Sequence, residues 1–158
     1  MAKARDIPGL ADARSFREAA ALTVEVRAEE VFEHLPRALD TSDIEGVHDT
    51  RVATRRLRAA MEIFAPAFPR RLHRELLRDV KALADALGER RDPDVAIAEL
   101  ERIATALTAE DRPGIEHLIA ELRGEQQAAN ERLATALAEV EQGELRSRLA
   151  VLVEAAQP

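Results

Sequence analysis

SDIEGVHDTRVATRRLRAAMEIF, residues 42–64, decides the fold because it combines a helix start signal, an apolar face and a line of cations. At about 100° of turn per residue, His48, Arg51, Arg55 and Arg58 project within an arc of roughly 80°. Ala53, Leu57, Ala60, Met61 and Phe64 fall on the opposite side. One helix therefore offers a core face and a cationic rail. Ser42 and Glu45 have the spacing of a capping box, in which each side chain takes the other's free backbone N–H. Pro66 and Pro69 are placed to end the helix and turn the chain.

Upstream, residues 16–35 repeat apolar positions at helical spacing (Phe16, Ala19, Ala20, Val24, Val31, Phe32, Leu35), and Pro36 closes that run. Downstream, Leu72, Leu76, Val80, Leu83 and Leu87 share one side of a third helix, while Arg70, Arg74, Arg78 and Lys81 share the other. Gly88 stands where a left-handed C-terminal cap belongs. Asp92 and Pro93 form a cap and first-turn pair that opens a further helix through Val95, Ile97, Leu100, Ile103 and Leu107. Pro113 starts a long alanine-rich helix, and Gly143 precedes a last short one.

No segment sustains a period of two, and aromatic residues make up only 3% of the chain, so strands are not expected. The spacing predicts an all-α antiparallel helical bundle with short connections, folded as a single domain over residues 1–158. The absence of cysteine excludes disulfides and thiolate metal sites. No apolar run reaches the length of a membrane span and none at the amino terminus has signal-peptide length, so the expected location is the cytoplasm, without a membrane partner.

The net charge of -7 argues against an anionic partner when taken globally. Its distribution reverses that reading. Residues 51–91 hold eleven basic and five acidic side chains, whereas the rest of the chain holds twelve and twenty-five. A basic segment in an acidic chain concentrates anions on one surface. Guanidinium groups remain charged at physiological pH, so several on neighbouring faces repel one another unless an anion sits between them. From His48 to Arg58 the rail covers about 15 Å, which suits an extended run of phosphates. The alternative is a solvated face on which each Arg pairs with a Glu one turn away, an arrangement that contributes little to stability.

Other chemistries have less support. Glu45-x-x-His48 has the spacing of di-iron bundles, but those need a second such pair and none is present, so no metal or other cofactor is expected. A phosphate-anhydride enzyme or a phosphotransfer histidine at His48 is the alternative activity, and a structural adaptor is a third class. Nucleic acid is a poorer partner, because the scarcity of aromatics leaves no base-stacking platform.

The run VHDTRVATRRLR, residues 47–58, followed about thirty residues later by LGERRDPDV, residues 87–95, resembles the CHAD family, the histidine α-helical domain. The similarity covers roughly residues 16–156. The resemblance implies an all-helical domain that binds inorganic polyphosphate, associates with polyphosphate granules in some bacteria, and is not itself a catalyst. On these motifs the basic contacts fall at His48, Arg51, Arg55, Arg58, Arg74, Arg78 and Lys81, with Arg91 a further candidate; Asp92 and Asp94 are assigned to the helix start. Family members usually carry two related halves around a basic cavity, the second with its own His/Arg helix and an Arg-Tyr pair. This chain has no tyrosine and one such helix, so it resembles the first half alone. The resemblance therefore implies a two-fold homodimer in which a second copy supplies the missing wall.

Overall fold

The computed structural model describes residues 3–157. Among them, the chain forms α1 (Phe16–His34), α2 (Ile44–Ile63), α3 (Arg70–Ala104), α4 (Arg112–Gln142) and α5 (Leu145–Glu154), with 3-10 turns at Leu10–Asp12, Leu35–Arg37 and Ala65–Ala67. No strand occurs among the described residues, and the expected all-α bundle is what forms. None of the described helices is long and apolar enough to cross a membrane.

The α1 start is fixed by Ser15, whose Oγ accepts from the Glu18 N–H at 3.1 Å. Ala20, Val24 and Val31 bury its inner face. Glu30 is buried on the same helix, and its carboxylate accepts from the Arg5 N–H and from Arg27, each at 2.6 Å, which ties the leader to α1. The α1 and α2 axes run antiparallel: Phe16 at the start of one meets Phe64 at the end of the other, with ring centroids 5.2 Å apart.

The capping box expected from Ser42 and Glu45 does not form. Asp43 caps α2 instead, accepting from the Gly46 N–H at 3.2 Å through Oδ1 and from Arg37 at 2.5 Å through Oδ2. A carboxylate offers two charged oxygens, one for the helix end and one for a guanidinium, where a hydroxyl has a single neutral one. Ser42 turns back to Asp40, to which its backbone N–H and its hydroxyl both donate. Gly46 lets the α1–α2 connection pass close, because a Cβ there would stand 2.4 Å from the Arg37 carbonyl oxygen. Beyond it, Ala53, Leu57, Ala60 and Met61 are buried as their spacing predicts. Thr50 and Thr54 share that interior, their hydroxyls donating to the carbonyls one turn back at 2.8 Å.

The largest departure from the sequence reading lies in α3. The expected stop at Gly88 and restart at Asp92 and Pro93 are absent, and one helix of 35 residues passes through both positions. Interior glycine costs about 1 kcal/mol and interior proline about 3 relative to alanine. What outweighs them is an unbroken seam. His73, Leu76, Val80, Leu83, Leu87, Arg90, Asp94 and Ile97 are all buried and advance by alternating steps of three and four residues. A break at Gly88 would put everything after it out of phase. α4 answers with Leu122, Gln126, Ala129 and Leu133 at the same alternating spacing, so the two helices form an antiparallel hairpin with coiled-coil periodicity.

The end of α2 is fastened to the start of α3 by His73, whose Nε2 lies 2.8 Å from the Met61 carbonyl oxygen while its ring stacks on Phe68. At the far end, Glu144 adopts φ 50° and reverses the chain into α5. That helix packs on α1, α3 and α4. Arg148 reaches Asp79 of α3 at 2.8 Å, and Arg17 of α1 donates to the Ala155 carbonyl at 2.6 Å. Leu57, Leu76, Leu87, Leu133, Leu149 and Leu152 meet in the centre.

Candidate anion-binding groove

α2 and α3 run antiparallel, and their outward faces border an open groove of about 560 Å³. Arg51, Arg55 and Arg58 line it from α2. Asp85, Glu89 and Asp92 line it from α3, together with the small residues Ala84 and Gly88 of the same helix. Three of the rail residues predicted from spacing are therefore brought together. Their charge is compensated unequally.

Arg58 Nε lies 3.1 Å from Glu62 Oε1, and Lys81 Nζ lies 3.1 Å from the same oxygen. The hydrogen bond from Lys81, and then that from Arg58, holds the Glu62 carboxyl below the usual carboxylate range. Among the described residues, Arg51 and Arg55 have neither an ion pair nor a side-chain hydrogen bond. Two guanidinium groups one turn apart, neither held in an ion pair, form an electrostatic arrangement that an anion relieves.

The second predicted stripe meets the first at Glu62. Lys81 sits at that junction, while Arg74 and Arg78 are exposed on α3 outside the groove, with Arg78 3.5 Å from Asp79. The α3 face thus changes sign along its length, cationic from Arg74 to Lys81 and acidic from Asp85 to Asp92. Arg91 does not line the groove: its side chain is 17% exposed, and Nη1 lies 3.7 Å from Asp94 Oδ2. His48, half-buried, also lies apart. One ligand atom from each of Glu45, His48 and Asp49 falls within 4.8 Å of the other two.

Asp92 and Asp94, assigned to a helix start, lie inside α3 and have different roles: Asp92 lines the groove, and Asp94 is part of a buried polar layer that the sequence reading missed. The Arg90 guanidinium is fully buried, donating to Asp94 Oδ1 at 2.6 Å and to Asn130 Oδ1 at 2.9 Å. Gln126 donates to the same Asp94 oxygen at 2.5 Å, and Asn130 reaches the Leu39 carbonyl at 3.3 Å. The signal lay in the phase, because 83, 87, 90 and 94 share the seam.

An all-helical domain with an arginine rail along an open groove is the class these features define. The CHAD domain family model matches residues 23–158, and the chain belongs to that family. The match begins within α1, seven residues after its start. No curated protein and no solved structure matches the chain.

Proposed function

We propose that the protein binds inorganic polyphosphate, without acting on it, along the groove between α2 and α3. The observation that carries this reading is the pair Arg51 and Arg55, which hold no ion pair or side-chain hydrogen bond among the described residues and line an open groove from one helix. Arg58, Lys81, Arg78 and Arg74 extend the cationic surface beyond them. Association with polyphosphate granules in the cytoplasm follows from the same reading.

The α3 wall beside the rail is acidic, so one copy presents cations on one side of the groove only. A second copy supplies the opposing cationic wall in a two-fold homodimer, and a polymer spanning both rails gains avidity. Light scattering on the eluting protein, with and without polyphosphate, tests this; a monomer under both conditions rules the dimer out.

The binding reading is tested by thermal melts with long-chain polyphosphate, triphosphate, orthophosphate and DNA at matched ionic strength. Polyphosphate at about 100 times its dissociation constant adds roughly 2.7 kcal/mol of stability. No shift with any phosphate polymer overturns the proposal. A second reading, hydrolysis of phosphate anhydrides, is favoured by the proximity of Glu45, His48 and Asp49. Incubating polyphosphate with the protein and Mg²⁺ separates the two, since only hydrolysis shortens the polymer.

A further inference from the structure

Glycine is the poorest helix former apart from proline, and α3 carries one, Gly88, deep in its interior. Packing does not require it there: a Cβ built on Gly88 meets no heavy atom within 4 Å. At Gly46, by contrast, the same addition collides with backbone. Gly114 and Gly124 also face open space, but on α4 and outside the groove. An interior glycine alone therefore carries no message. What distinguishes Gly88 is that its open space is the groove itself, with Arg51, Arg55 and Arg58 on the facing wall.

We propose that Gly88 is a specificity-determining residue of the groove, kept without a side chain so that a single-file phosphate chain can settle against the α3 backbone while the α2 arginines hold it from the other side. This rests on the polyphosphate reading above. Asp85 and Asp92 stand one turn either side of Gly88, so the bare position is the gap between two carboxylates on that wall. A narrow phosphate chain can pass through that gap toward the facing arginines, whereas a side chain at 88 would crowd it against those carboxylates. The missing side chain thus selects for a thin, unbranched polyanion by giving it a path that a broad one cannot take.

The test uses the full chain with Gly88→Ala and Gly88→Leu, each titrated with polyphosphate and followed by circular dichroism on heating. Because a Cβ at 88 enters free space and both residues favour helix over glycine, both variants should melt at or above the parent temperature. Polyphosphate affinity should fall about threefold in Gly88→Ala and by more than about tenfold in Gly88→Leu. Binding by a folded Gly88→Leu variant with parent affinity overturns the proposal while leaving the arginine rail intact. If Gly88→Leu fails to fold, unchanged affinity in Gly88→Ala overturns it instead. Failure of the parent protein to bind polyphosphate overturns the functional reading on which it rests.

Discussion

Lys81 on α3 and Arg58 on α2 converge on one oxygen, Glu62 Oε1, each at 3.1 Å. The carboxylate joins the two cationic stripes and also opposes any anion that approaches them. Glu62→Gln should raise polyphosphate affinity roughly two- to fivefold, the size expected of one exposed charge. Stability should change by no more than about 0.5 kcal/mol, because all three side chains are two-fifths exposed and water screens the pairs. Titration at low and high salt checks this, and the gain should shrink as salt rises. The pH dependence has a definite sign. A carboxyl held below its usual range contributes its link above that range and loses it as pH falls through the lowered value. The affinity gain of the Gln variant should vanish under that acidic condition.

Arg51 and Arg55 hold no described partner, so removing them should cost the fold nothing. The Arg51→Ala/Arg55→Ala double variant should melt within a degree or two of the parent, on the order of 0.5 kcal/mol or less. Its binding should weaken, and the slope of log affinity against log salt should flatten by roughly 1.4, about 0.7 for each phosphate that is no longer neutralised on a single-stranded polyanion. A slope unchanged from the parent would place the ligand elsewhere.

Asp94 is the opposite case. Replacing it with Ala leaves the Arg90 charge fully buried with only Asn130 to receive it, and breaking such a pair costs about 3–5 kcal/mol. Urea denaturation should show the midpoint fall with little change in slope. An Arg90→Met/Asp94→Leu double variant should recover most of that stability, since apolar residues fill a seam without stranding a charge.

Gly46→Ala should destabilise by about 1–3 kcal/mol, because the new methyl group meets the Arg37 carbonyl at 2.4 Å and backbone must move. Chemical denaturation measures it. Gly88→Ala, with no neighbour to displace, should move in the other direction by about 0.5–1 kcal/mol.

The faces of α1 and α2 were legible in the sequence because each helix buries an ordinary apolar stripe at helical spacing. The α3 boundary was not. Gly88, Asp92 and Pro93 read locally as a stop and a start, and only the seam against α4 reveals that the chain stays in phase through them. The same phase hid Arg90 and Asp94, since charged residues are read as surface until a partner helix covers them. At Asp43 a better acceptor displaced the motif that spacing favoured. The arginine rail was readable as a line on one helix. The groove was not, because whether Asp85 and Asp92 face that line depends on how α3 is rotated, and packing sets the rotation.

Within three turns of α3, Leu87, Arg90 and Asp94 bind the hairpin together, while Asp85, Gly88 and Asp92 interleave with them and line the groove. Neighbouring positions in the chain therefore live under different selective regimes. Substitution at 90 or 94 is tested by folding, and, on the polyphosphate reading proposed above, substitution at 85, 88 or 92 is tested by what the groove admits. On that reading, ligand preference can change by single steps along one helical edge while the scaffold stays fixed.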